Sequence, residues 1–168
     1  MQESGSRSLI TLICLIIFAV VYIVYTTADL PDTVATHFGA DNQANGWMSR
    51  NGYLLFTLAL LLGMPTFINV CVGILPGKIP RWTNIPNRDY WLAPERLEAS
   101  VGFLAAHGKW LGCLMVAMIT AMHYIILTAN RTEPATLPMT MFLLLIGSFL
   151  LGVFIWVAVL YQRFMKKD

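Results

Sequence analysis

The residues able to carry acid–base or metal chemistry are few and mostly far apart. The chain holds three histidines and nine acidic residues. His107 and His123 are separated by about 24 Å of helix at 1.5 Å per residue, too far to share a metal. His37 and His123 fall toward the same boundary of the apolar segments described below. With Asp41 they form a candidate site for a divalent ion, whose ligands are imidazole nitrogens and carboxylate oxygens. The competing reading is bracing, in which a loop histidine caps its own turn and a histidine inside the membrane hydrogen-bonds a neighbouring helix. No HExxH, GxSxG or P-loop pattern occurs, so a hydrolase would have to be assembled from scattered groups such as His37, Asp41 and Glu133. The reading leans against an enzyme and against any cofactor other than that divalent ion. Cys14, Cys71 and Cys113 each lie inside an apolar run, where a free thiol behaves as a small core residue. No CxxC pair points to a disulfide framework or a zinc site.

Two loops carry most of the remaining polar chemistry. The first leaves the membrane at Leu30-Pro31, alternates through Val34, Thr36 and Phe38, and has an Asn45-Gly46 pair suited to a turn with positive φ. Trp47 then returns the chain to the interface. His37, Phe38, Asp41, Gly46 and Trp47 are its candidate binding residues. The second runs from Asn84 to Arg96 and packs Asn87, Arg88, Asp89, Tyr90, Trp91 and Glu95 between prolines. Arg88 is expected to pair with Asp89, Glu95 or a partner's carboxylate, and Tyr90 and Trp91 to anchor at the interface. The alternative for this second loop is a purely structural brace.

The elements that must position these loops follow from composition. Of 168 residues, 57% are hydrophobic and 12% charged, about half the charge of a soluble domain. The solvent is lipid. A net charge of +2 with scattered basic residues excludes a nucleic-acid surface. Four runs are long and apolar enough to cross the hydrocarbon as helices. The expected fold is an all-α integral membrane protein, a single membrane domain over 1–168. Its parts are helix 9–26, outer loop 27–51, helix 52–75, inner loop 76–101, helix 102–127, outer loop 128–136, helix 137–161 and inner tail 162–168. The first run is too long for a signal-peptide core and lacks a good cleavage site after Tyr25, so it is read as a retained span. With the N-terminus inside, Arg7, Lys78, Arg81, Arg88, Arg96, Lys109, Arg163, Lys166 and Lys167 lie on the cytoplasmic side and only Arg50 and Arg131 outside. That bias sets both termini inside.

Three local features add detail. Pro65 removes a backbone donor and predicts a kink in the second helix. Pro94 suits a first helical position, with Glu95 and Glu98 in the first turn. A straight helix from Pro94 to Leu127 would span about 51 Å at 1.5 Å per residue. A bend near Gly102 or Gly108 is therefore expected, with an amphipathic stretch at the cytoplasmic interface. Gly108 and Gly112 form a GxxxG pair that would let another helix approach.

Leu30-Pro31, His37-Phe38, Gly46-Trp47 and Ser49-Arg50, in that order after a first transmembrane helix, resemble the N-terminal domain of the SdpI-like bacterial membrane proteins. Ile85-Pro86-Asn87-Arg88-Asp89-Tyr90-Trp91 is similar to the motif after the second helix of that family. The resemblance covers roughly residues 9–100; Asn42 stands where the family has glycine, and the named member has more than four crossings. It implies a multi-pass protein of the bacterial inner membrane and, for the named member, immunity to a secreted peptide toxin coupled to sequestration of a transcriptional repressor. In that setting the acceptor pattern Asn130-Arg131-Thr132 reads as chance. The expected function is non-enzymatic binding or sensing, with a structural subunit of a larger membrane assembly as the alternative. A metal-dependent enzyme using His37 and His123 is the third reading. The expected partners are the lipid bilayer, another membrane protein or a cytoplasmic protein, and a second copy of the chain, with no nucleic acid.

Overall fold

The computed structural model describes residues 2–166. Its order is α1 (Gln2–Thr27), β1 (Thr33–Phe38), β2 (Ala44–Ser49), α2 (Arg50–Ile68), a π-helical segment Asn69–Ile74, α3 (Leu75–Lys78), a 3₁₀ turn Pro80–Trp82, α4 (Arg88–Trp91), α5 (Pro94–Ala129) and α6 (Met139–Met165). Four stretches are long and apolar enough to cross a membrane: Gly5–Thr27, Arg50–Lys78, Pro94–Ala129 and Met139–Met165, with mean hydropathies of 2.8, 2.2, 1.9 and 2.7. Helices suit such sequences because lipid offers no partner for a free backbone N–H or C=O. Within its most apolar window α5 is 39% buried and α6 only 6%. Most of α6 therefore faces outward.

The mainly helical expectation holds, with one addition and two local features. The addition is the β1–β2 hairpin. The first feature is in α2, which continues through Pro65 and leaves α geometry four residues later. There the Leu75 N–H reaches the Val70 carbonyl, and Asn69 Nδ2 donates to the Pro65 carbonyl at 2.8 Å. The second is that α5 runs through Gly102 and Gly108 without interruption. Gly108 serves close packing, since a Cβ there would sit 3.3 Å from Val72 Cβ. The same approach brings Gly73 against the Ala105 backbone.

Contacts divide the chain into two compact units. One comprises Met1–Cys14, Met64–Met115 and Leu150–Asp168; the other comprises Leu15–Gly63 and Val116–Phe149. The first has a core of Ile85, Trp91, Leu104, Leu160 and Phe164, flanked by Tyr90, Leu92, Phe103 and Trp156. The second has a core of Leu30, Val34, Tyr53, Ile126 and Leu127, flanked by Tyr22, Phe38 and Met48.

In the hairpin, β1 pairs antiparallel with β2 in the register Thr33↔Ser49, Val34↔Met48, Ala35↔Trp47, His37↔Gly46 and Phe38↔Ala44, irregular on either side of His37. The turn is not at Asn45-Gly46. It lies at Gly39–Gln43, where Asn42 takes the left-handed conformation (φ 65°) and the Gly39 N–H donates to the Gln43 carbonyl at 2.9 Å. Gly46 sits inside β2 for a steric reason, because a Cβ there would lie 2.9 Å from His37 Cβ. Tertiary packing outweighs the local turn signal.

Candidate functional site

The hairpin is held at its base by groups from both sides of it in sequence. Ser49 Oγ accepts from the Gly52 N–H at 3.2 Å, the N-cap arrangement that satisfies a free donor at the start of α2. The next residue, Arg50, turns its guanidinium back to the exit of α1. It donates to the carbonyls of Ala28 at 3.2 Å and Leu30 at 3.0 Å and pairs with Asp32 Oδ1 at 2.5 Å. A planar, multi-donor cation suits this convergence in a way lysine does not.

The strand β1 has a side-chain neighbour. Asn130 Oδ1 accepts from the Ala35 N–H at 2.8 Å and Asn130 Nδ2 donates to the Ala35 carbonyl at 3.0 Å, so the carboxamide stands in for an adjacent strand residue. The connection after α5 also joins the far end of the hairpin. The Ala44 N–H donates to the Ala135 carbonyl and the Leu137 N–H to the Asn42 carbonyl, at 3.1 and 2.9 Å.

Beneath the hairpin in the same unit, His123 is 1% exposed. Its Nε2 lies 2.8 Å from Thr26 Oγ1 and its Nδ1 2.6 Å from the Tyr53 hydroxyl. The Thr26 hydroxyl proton is directed to the Tyr22 carbonyl at 2.7 Å. The neutral imidazole is then fixed: Nε2–H donates to Thr26, and Nδ1 accepts from Tyr53. Tyr53 stacks on the ring and Tyr22 meets it edge-on, both with centroids 5.6 Å away. A cavity of about 270 Å³ adjoins, lined by Thr36, Met48, Phe56, Thr57 and Met122 as well as Tyr53 and His123.

In this structure the candidate ligands make hydrogen bonds of their own. Both nitrogens of His123 are engaged, and His37 Nδ1 is held by Asn45 Oδ1 at 2.5 Å. Asp41 Oδ1 accepts from the Gln43 N–H within its own turn at 3.1 Å. Among the described residues no three His, Cys, Asp or Glu side chains come together to hold a metal ion. What the hairpin does present is a surface: His37, Asn45 and Trp47 are exposed, Trp47 by 56%, whereas Phe38 packs on the core below.

The second motif serves a different end. Asn87, left-handed at φ 50°, donates Nδ2 to the carbonyls of Phe164 and Met165 at 3.0 and 2.9 Å. Trp91 Nε1 donates to the same Phe164 carbonyl at 2.9 Å. The last carbonyls of a helix have no partner within it, so this motif caps the end of α6. The Trp91 carbonyl accepts from Ser100 Oγ at 2.7 Å. The Arg163 guanidinium covers the Trp91 ring at 4.2 Å and that of Arg96 the Tyr90 ring at 4.0 Å. Arg88 pairs with its neighbour Asp89 at 2.8 Å, and Glu95 takes no part in that ion pair. In this unit His107 and Trp156 stack at 4.5 Å and exchange hydrogen bonds, His107 Nε2 to the Trp156 carbonyl and Trp156 Nε1 to the His107 carbonyl, both at 2.9 Å.

Residues 12–63 match a domain of unknown function, DUF1648. The DUF1648 segment contains the hairpin, Arg50 and Tyr53, but not His123 of α5 or Asn130 just after it, which complete the same unit. No curated protein and no solved structure matches the chain. Sequence reading missed Asn45, Asn130, Tyr53 and Thr26. Spacing could not reveal Asn130 or Thr26, whose partners lie 95 and 97 residues away, whereas Asn45 meets His37 only eight residues off.

Proposed function

We propose that the chain is a non-enzymatic binding protein of the bacterial inner membrane, of the SdpI type, whose recognition surface is the β1–β2 hairpin. The observation that carries this reading is the contrast between a fixed base and an open face. Arg50 and Asn130 hold the strands, while Trp47, His37 and Asn45 face outward. A pre-organised surface loses little entropy on binding, and an exposed tryptophan beside polar groups is a common binding anchor. The bias of Lys and Arg supports an N-in, C-in topology, which sets the hairpin outside the cell. The ligand class is a secreted membrane-active peptide, in keeping with the resemblance of residues 30–50 to the immunity family.

The test is survival of a sensitive bacterium, with and without the chain, under challenge by a secreted membrane-active peptide. Protection should depend on the hairpin face and fall at least tenfold with Trp47→Ala plus His37→Ala, at unchanged protein level. Absence of protection, or protection indifferent to both substitutions, defeats the reading. A second reading, a subunit of a larger membrane assembly, draws on the outward face of α6, where Leu144 and Phe154 are 69% and 70% exposed. Stoichiometric co-purification of another membrane protein in mild detergent would favour it.

A further inference from the structure

The unit that contains α3 and α4 holds two adjoining cavities of opposite character. The first, about 400 Å³, is walled by apolar side chains, among them Leu75, Ile79, Leu104, Trp156 and Leu160. The second, about 300 Å³, is walled by Asn87, Arg88, Asp89 and Tyr90. Both share Thr83, Asn84 and Ile85 as a common wall. Trp82 borders the apolar cavity and is 74% exposed, as a tryptophan at a membrane surface is.

The charges at this place are mostly positive. Lys78 ends α3 and Arg81 lies in the 3₁₀ turn. Arg88, which lines the polar cavity, donates Nη1 to the Arg81 carbonyl at 3.0 Å, and the Arg81 guanidinium lies 5.8 Å from the ring of Trp82, which borders the apolar cavity. Asp89 is the one opposing acid that lines it, and it already engages Arg88. The apolar walls come from α5, α6 and the Arg50–Lys78 stretch, all apolar enough to lie in a membrane. An apolar slot that shares a wall with a polar cavity, with Lys78 and Arg81 on the segment that borders the slot and Arg88 in the polar wall, is complementary to a molecule with a hydrocarbon tail and an anionic head.

We propose that this pair of cavities binds one anionic phospholipid, with an acyl chain in the slot beside Trp156 and the phosphate facing Arg81, Arg88 and Lys78. Guanidinium and ammonium groups suit a phosphate diester, and clustered basic residues beside a membrane helix attract anionic lipid. The site differs from the hairpin in place and chemistry and does not depend on the function assigned to the hairpin.

The experiment is native mass spectrometry of the full chain, released from detergent micelles doped with phosphatidylglycerol or phosphatidylcholine at equal mole fraction. One phosphatidylglycerol should be retained per chain, at least tenfold over phosphatidylcholine. Val157→Trp, which fills the apolar slot, and the double variant Arg81→Gln, Lys78→Gln, at surface positions, should each cut retention at least fivefold. Millimolar inorganic phosphate should leave it unchanged. Equal retention of the two lipids overturns the proposal. So does full retention by either variant with unchanged helical content, or displacement of the lipid by phosphate. Should Val157→Trp lose helical content, the double variant alone decides.

Discussion

The two polar loops look alike in sequence, each with an arginine, a tryptophan, asparagines and acids between apolar runs, yet they use these groups in opposite ways. In Asn87–Trp91 the Asn87 amide and the Trp91 indole face inward to the end of α6, and Trp91 is 3% exposed, while Arg88 and Asp89 pair with each other at the surface. In the hairpin the inward-facing polar groups sit at its margins, and Trp47, His37 and Asn45 are left open. Residue type does not separate a brace from a surface. What separates them is whether an unsatisfied carbonyl lies within reach, as the end of α6 does for Asn87 and Trp91.

That contrast can be broken by substitution. The largest effect should come from Trp91→Ala, which opens a cavity in the core and uncaps α6. A loss of about 3–5 kcal/mol is expected, read as a collapse of thermal stability in detergent. Arg50→Ala removes donors to two carbonyls and one carboxylate, and charged hydrogen bonds contribute about 1.5–3 kcal/mol in sum here. Accelerated proteolysis between Asp29 and Arg50 would report it, and an unchanged cleavage rate would argue that the hairpin does not need its lock. His123→Phe keeps the ring stack and removes both hydrogen bonds, at a cost of about 1–2 kcal/mol as for polar contacts between membrane helices, measurable by chemical denaturation. Asp89→Ala, at a side chain 88% exposed, should shift stability by less than about 0.5 kcal/mol, within the range for exposed ion pairs. Trp47→Ala should likewise leave melting unchanged while it abolishes ligand-dependent protection. A destabilised Trp47→Ala protein would make the two loops alike after all.

The helices were the legible part of the fold, because a continuous apolar run without Asp, Glu, Lys or Arg has few alternatives in lipid. The hairpin left a trace in the alternation at Val34, Thr36 and Phe38, but the segment reads as a loop with its turn at the wrong place. Asn45-Gly46 carries the strongest local turn signal, whereas Gly46 serves the close pass of His37. The π-helical segment Asn69–Ile74 left no mark in sequence beyond a proline four residues earlier. The candidate site was legible only where its partners are near in the chain. Arg88 with Asp89 was anticipated, while Asn130 resembled a glycan acceptor and gave no sign that its amide completes a strand.

The cap on α6 also sets an order of events during synthesis. Asn87 and Trp91 are made 77 and 73 residues before the Phe164 carbonyl they hold. Until that residue leaves the ribosome, an indole N–H and a carboxamide have no permanent acceptor. Closure of this cap therefore waits for the synthesis of α5 and α6.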